Sequence, residues 1–483
     1  MKSLTLNQRQ KNITLAAVFT AAGVVYALIS LVNHYLFKTY ALDLGLYTHF
    51  MYEYAHFRRA DLFMLDMAPQ SALSAHFDLY LIILSPLMYL FGSYTLLIVQ
   101  IAAVLFGGYG IYKLIALYTD DDTMPLLATI AFFFSFGVLH PLAYDYHSNV
   151  VSTMMMPWML YYLKKGRYGW ASLFAVLLVI GKENLSLWLL FIALGLIWDY
   201  RKERKAIWYL LGCALFAVAY FVVVNMVIMP RLGARGIMRY NYLGDNYLEI
   251  AKNLIVHPGE TLRILFTNTS TLHRFDGVKA EFYFCALASG MLLTLLKPNY
   301  LVMLIPLIAQ KMLASDGMFW GVSVQYSVEF MPILIISSFL VIIKIKQQLW
   351  RLIVGGGLLI SIILTTFFTI GVPRSYVIPE QTCIYQGRHY RQNNFDAAYA
   401  RELINQIPDD AYVCAATMFV PHLALRHHIE DFESNKDTGA EYVLITKPYF
   451  DISRFGVPIF GNRDSFETIA TDGTLYLLHR KQP

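Results

Sequence analysis

Long apolar runs, almost free of charge, limit this chain to few folds. Residues 13–32, 94–118, 206–229 and 352–370 each reach or pass the roughly 18 residues that divide a membrane-crossing helix from a buried core helix. Shorter runs cover 124–139, 150–163, 170–180, 185–198, 282–296, 300–314 and 327–343. Together they predict about 11 spans, some of them slanted or partial. A soluble protein gives about a quarter of its residues to charge. Here charged residues are 15% of 483 and the mean hydropathy is +0.49, so no water-soluble core could absorb the apolar surface. The basic N-terminal segment leads into the run at 13–32 without an Ala-x-Ala cleavage pattern, which reads as a retained first span.

Charge placement orients the spans. Lys164, Lys165, Arg167, the 201–205 cluster, Lys297 and the 344–351 segment all fall on one side if residues 76–92 re-enter or lie at the interface. Asp78, Pro86 and a turn-like Phe-Gly-Ser make that segment a poor span. Short loops rich in Lys and Arg face the cytoplasm. The reading therefore places the N-terminus inside, in a cell membrane, and the loops 33–75 and 230–280 outside. The turns at 143–149, 181–184 and 315–326 and the tail join them there. The net charge of +5 is then anchoring charge and no nucleic-acid signal.

Residues 1–371 read as the membrane domain and 372–483 as a soluble one. In the tail, short strand-like runs at 412–416, 442–445 and 474–478 flank a helix-like stretch at 394–406, which predicts a small extracytoplasmic α/β domain. Cys383 and Cys414 lie there and are candidates to pair, whereas Cys213 and Cys285 sit within apolar runs.

Ionisable groups at membrane depth are costly and mark candidate sites. Asp43 follows the first span and precedes an amphipathic stretch at 44–57; it suits a general base or a divalent-metal ligand, and equally a helix N-cap. His76 and Asp78 open the short Pro-containing segment, as a phosphate-binding or proton-moving pair or as interfacial caps. Asp145 and His147 sit in Tyr-Asp-Tyr-His between two spans, near a substrate, sharing a metal, or building a hydrogen-bonded turn. Lys182 and Glu183 stand side by side between apolar runs, and lysine there suits a lipid-linked phosphate. The long loop adds Arg231, Arg235, Arg239, His273, Arg274, Asp276 and Lys279, apt for a diphosphate or for ordinary headgroups. Tyr326 and Glu329 begin another span. Walker, Gly-x-Gly-x-x-Gly, Cys-x-x-Cys and His-Glu-x-x-His signatures are missing, which disfavours ATP-driven transport, nicotinamide chemistry and zinc proteolysis.

The order of motifs is also familiar. Asp-Leu-Gly at 43–45, Ser-x-His-Phe at 74–77 leading to Leu-Phe-Gly at 90–92, Asp-x-His at 145–147 and Lys-Glu-Asn at 182–184 come first. Gln-Tyr-Ser at 325–327, a Met-Pro within a span, Pro421-His422-Leu423 and Tyr442-Val443-Leu444 follow. This pattern resembles the membrane-protein family called domain of unknown function 2079. The family's Lys-Glu-Asp appears here with Asn184, which removes a third carboxylate.

That family is similar in layout to the GT-C glycosyltransferases. The resemblance implies a mainly helical GT-C-like transmembrane bundle and a transferase that moves a sugar from a polyprenyl-phosphate donor. The acceptor hydroxyl would belong to a glycan, lipid or protein outside the cytoplasm. It implies Asp43 as the base or metal-linked carboxylate and Asp145 as a second-loop acid. On the physical reading of the residues, not the resemblance, Glu183 joins them as a catalytic candidate, with His76, Asp78, His147, Lys182, Arg239, Arg274, Tyr326 and Glu329 on the substrate. A divalent ion, Mg or Mn, would take Asp43, Asp145 and His147. The rival reading is a transporter or lipid flippase that uses the same charges as a pathway; against it, the candidates gather on one face and no repeat is visible.

Overall fold

The computed structural model describes residues 7–67, 70–234, 239–370, 382–434, 439–453 and 465–481. The chain divides into two compact units that interleave along the sequence. A helical unit takes Met1–Ala27, Gln100–Pro230 and Arg235–Thr382; a mixed unit takes Leu28–Val99, Arg231–Ala234 and Cys383–Pro483.

Among the described residues six helices are long and apolar enough to cross a membrane. They are Gln8–Tyr35, Tyr80–Ile115, Thr123–Ala143, Arg204–Arg231, Gln325–Ile342 and Gln348–Thr369. Tyr168–Val179 and Leu185–Asp199 are apolar but shorter. Local breaks explain why some apolar runs make no long helix. The run at 150–163 splits into Ser148–Thr153 and Met156–Lys164, with Pro157 in the first turn of the second piece. The run at 282–296 is interrupted at Ser289 and Gly290, where Gly290 adopts φ +117°. A Cβ there would stand 2.5 Å from Ser338 Oγ, whose hydroxyl donates to the Gly290 carbonyl at 3.0 Å.

Without a hydrophobic drive between helices in lipid, close backbone approach through small residues holds the unit together. A Cβ on Gly108 would meet the Phe133 ring at 2.0 Å, and one on Gly195 the Asn299 carbonyl at 2.4 Å. Ion pairs tie the connecting loops at one end. Lys11, ahead of the first span, meets Asp122 at 2.7 Å, and Arg351, ahead of the last, meets Asp121 at 3.9 Å. Lys164 lies 4.9 Å from the Tyr118 ring, and Lys297 pairs with Asp199 at 3.3 Å. The basic loops that the charge rule groups together thus share one end of this unit, beside the acidic loop at 120–122.

The stretch Tyr80–Ile115 is made of successive pieces: Tyr80–Phe91, in the mixed unit, is helical in short turns around Pro86, Gly92 follows at φ +55°, and Thr95–Ile115 is the long helix. The 12 residues of Tyr80–Phe91 span about 18 Å, short of the roughly 30 Å hydrocarbon core. The tail forms the expected small α/β domain. Strands β1 (Val413–Ala415), β2 (Ile429–Asp431), β3 (Tyr442–Thr446), β4 (Phe466–Thr471) and β5 (Leu475–Arg480) run in the order β2-β1-β3-β5-β4. β1 is parallel to β2 and β3, and β5 is antiparallel to β3 and β4. Helix Ala397–Asn405 starts at Asp396, whose carboxylate accepts from the Ala398 amide at 2.8 Å.

Candidate functional site

Within the helical unit, hydrogen bonds link the turns at 143–149 and 181–184, the long loop and the turn at 315–326 to one another or to Gln310 and Glu329. Asn149, just past the Asp145 turn, donates to Glu329 Oε1 at 2.7 Å. Asn184, in the turn that carries Lys182 and Glu183, donates to Gln310 Oε1 at 2.7 Å. An aspartate at 184, which has no N–H to give, could not make that bond while ionised. Gln310 also receives Tyr240 of the long loop: its hydroxyl donates to the Gln310 carbonyl at 2.7 Å. The Ser315 amide donates to the Arg239 carbonyl at 3.0 Å.

These ties assemble a run of cations and rings. The Arg239 guanidinium lies 4.2 Å from the Phe319 ring centroid, and Phe319 stacks on Tyr326 at 4.0 Å. Lys182 Nζ lies 6.0 Å from the Tyr326 ring. Ring faces attract both cations. Glu329 is buried nearby at 7% exposure, and the charges of Lys182 and Lys311 both act on it. Lys311, at 3% exposure, donates to the carbonyls of Gly321 and Tyr326 at 2.6 and 3.3 Å and to Ser327 Oγ at 3.2 Å. It thereby fastens the loop that presents Phe319 and Tyr326. An ionisable residue inside the run at 300–314 is itself a sequence signal, and one the motif reading passed over.

Asp145 and His147 are both buried in a locked turn. Gln100, fully buried, reaches both ends: its amide donates to the Asp145 carbonyl at 2.9 Å and accepts from the His147 amide at 2.9 Å. The His147 Nε2 lies 2.7 Å from the Tyr144 carbonyl, and the two rings stack at 5.5 Å. Asp145 stands at φ +53°, a left-handed conformation that costs a non-glycine residue about 1 kcal/mol or more. Glu183 is half-buried and its charge acts on Tyr247. Arg274 is exposed beside the Phe275 ring at 5.0 Å. Arg235 lies outside the described residues.

The mixed unit holds Asp43, His76 and Asp78. Asp43 sits half-buried inside a π-helical turn, Ala41–Gly45, while the cap position of the following helix, Leu46–Ala55, is Gly45. The N-cap alternative for Asp43 is therefore not the one realised. Turns of this type are frequent at functional sites. A Cβ on Gly45 would meet Val420 Cγ1 at 2.9 Å, and the Ala41 amide donates to Thr417 Oγ1 at 3.1 Å. Tail and first loop are thus in direct contact. Asp78 is buried and accepts from the Tyr80 amide at 2.9 Å, a start signal for the short helix there; His76 is half-buried.

Further along Leu46–Ala55, Glu53 is buried and accepts from Arg58 at 2.7 and 3.1 Å, with His427 Nδ1 2.9 Å away. Burial alone would raise its carboxyl, but the hydrogen bonds from Arg58 and His427 outweigh that and hold it below the usual range. One turn earlier, His49 Nδ1 lies 3.1 Å from the Arg426 carbonyl, and burial lowers its imidazole. His422 stacks on His34 at 4.0 Å, and burial pushes it down to about 3. In β2, burial and then nearby Glu433 raise Asp431 to about 6, against a hydrogen bond from Ser434. Cys383 and Cys414 are both buried thiols. Among the described residues no group of three or more His, Cys, Asp or Glu side chains is disposed to hold a metal ion.

Comparison with solved structures gives the fold a place. ArnT from Cupriavidus metallidurans bound to undecaprenyl phosphate superposes with a TM-score of 0.52 at 9% identity, over 98% of this chain and 98% of that one. The same protein in its apo state gives 0.45 at 10% identity, over 95% and 98%. The Archaeoglobus fulgidus oligosaccharyltransferase tethered to an acceptor peptide gives 0.46 at 10% identity, over 97% of this chain and 74% of that one. The first of these likenesses makes the fold GT-C-like. Comparison with curated proteins found no match. Across residues 33–454 the sequence fits one family model, and the chain belongs to the family described as "Predicted membrane protein (DUF2079)".

Proposed function

We propose that this protein is a membrane glycosyltransferase acting on the extracytoplasmic side, with a sugar linked to polyprenyl phosphate as donor. The reading is carried by the GT-C-like fold, shared over nearly the full length of ArnT, together with a carboxylate in a π-turn right after the first span. That ArnT structure holds undecaprenyl phosphate, which supports a lipid-phosphate donor of the same kind. In the proposed step an acceptor hydroxyl oxygen bonds to the anomeric carbon while the bond from that carbon to the donor phosphate breaks. Asp43 takes the hydroxyl proton, and the polyprenyl phosphate leaves with the bond's electrons. Within the helical unit, Lys182 and Arg239 are the cations assigned to a lipid-linked phosphate, where charge-assisted contacts strengthen as charge develops, and Asp145 and Glu183 are assigned to sugar hydroxyls. Among the described residues no group of three or more His, Cys, Asp or Glu side chains is disposed to hold a metal ion, and the proposed step is written with the chain's own side chains.

The test is transfer in proteoliposomes supplied with polyprenyl-phosphate sugars, read as release of polyprenyl phosphate. Asp43→Asn is expected to lower the rate by about 10²–10⁴-fold, the usual worth of a positioned general base. An Asp43→Ala protein that transfers sugar at the normal rate overturns the assignment.

A further inference from the structure

The long external loop contains a helical hairpin that is apolar on two sides. Helices Tyr247–Val256 and Pro258–Phe266 adjoin at His257. One side is occupied: Ile264 forms a buried cluster with Leu243 and Leu313, and Ile250 and Leu254 pack against it. The other side carries Leu248 at 80% exposure, Ile255 at 77%, Leu262 at 58% and Phe266 at 60%. Seven residues separate the first two and four the second two, spacings that keep each pair on one helix face. Water gives such a surface nothing to gain from order.

The surroundings identify what covers it. The Tyr247 ring meets Phe221 at 5.3 Å, and Phe221 belongs to the membrane-crossing helix Arg204–Arg231. Around Phe221 that helix exposes Val222, Val223 and Met226. At the far end, Phe266 lies 5.0 Å from the Tyr283 ring, and the Tyr283 hydroxyl donates to the Leu265 carbonyl at 3.3 Å. Phe284, beside Tyr283, is 70% exposed. The bare face thus continues the lipid-facing surface of the helices at both ends. Ten and nine residues span about 15 and 14 Å, too short to cross a bilayer. Lys252 and Arg263 have stems long enough to lift their charges to the headgroups.

We propose that Tyr247–Phe266 lies in the boundary between headgroups and acyl chains, with Leu248, Ile255, Leu262 and Phe266 in contact with lipid. An interfacial helix of this kind sinks its apolar face about 5–10 Å. The test uses the full chain in lipid vesicles, with Leu248→Cys, Ile255→Cys, Leu262→Cys and Phe266→Cys each labelled with an environment-sensitive fluorophore. All four native cysteines are buried, and Glu467→Cys on β4 serves as the aqueous control. Blue-shifted emission, shielding from iodide, and stronger quenching by a nitroxide near the head of the acyl chain than near its tail are expected. Iodide quenching equal to the control overturns the proposal. So does strongest quenching near the tail, or shielding that appears only as protein density rises, which would make a second copy the occupant.

Discussion

Asn149 and Glu329, 180 residues apart in sequence, are joined by a hydrogen bond of 2.7 Å from the amide of one to the carboxylate of the other. Both side chains are buried, so neither can turn to water if the bond is lost. Asn149→Leu is expected to lower stability by about 2 kcal/mol, the cost of stranding a charged acceptor. Glu329→Gln in the same background should recover part of it. Thermal unfolding in detergent measures both.

Lys182 is predicted to act on donor binding. Lys182→Met should raise the donor KM about tenfold, equivalent to about 1.4 kcal/mol, and the effect should shrink in high salt. Tyr326→Leu should weaken donor binding less, since a cation–ring contact is worth about 0.5–1 kcal/mol at an accessible site. Steady-state kinetics with varied donor separates the two.

Asp145 holds a left-handed backbone that glycine adopts freely. Asp145→Gly should leave the fold at least as stable, by up to about 1 kcal/mol, while lowering transfer. A variant that melts earlier than the parent would show that the carboxylate's contacts outweigh the strain. Melting and transfer are read on the same preparation.

Glu53 makes the mixed unit sensitive to acid. Its carboxyl is held below the ordinary value, so the stability it contributes is full above the unfolded pKa near 4.3 and is lost as pH falls through the lower folded value. Glu53→Gln should remove that acid-side loss and cost about 2 kcal/mol at neutral pH. Unfolding followed from pH 7 down to 3 tests the sign.

Asp431 gives the opposite slope. Its folded pKa near 6 exceeds the unfolded value, so its protonated form is favoured in the fold. Stability from this group is greatest below about 4 and declines as pH rises through 6. Asp431→Asn should flatten that decline and stabilise the tail domain at pH 7.5 by up to about 3 kcal/mol. A variant less stable than the parent at that pH contradicts the reading.

Much of this was legible from the residues. Apolar runs announce the membrane helices, and of the loop cations that the charge rule groups, Lys164, Lys297 and Arg351 find Tyr118, Asp199 and Asp121. Strands β1, β3 and β5 stand out as apolar runs, whereas β2 is Ile-Glu-Asp and β4 is largely exposed, so neither has a hydrophobic pattern to read. Gln100 gives no signal because it is a polar residue within an apolar run and its partners lie 45 and 47 residues on. Lys311, beside Gln310, is visible as a charge in such a run, but the fold-back of the chain that offers it the carbonyls of Gly321 and Tyr326 is not. The breaks at 154–155 and 289–290 depend on neighbours, as Gly290 against Ser338 shows. Asp43 was singled out, but its π-turn was not foreseeable, because that turn is packed against Val420, nearly 380 residues later.

The closeness of Gly45 to Val420 also bears on the order of events during synthesis. The segment that carries Asp43 is synthesised long before Thr417, Val420 and His427, which brace it and its following helix. Its final shape must wait for the tail to be translated and delivered to the same side of the membrane. Until those residues arrive, the loop lacks the contacts that hold it in the folded protein.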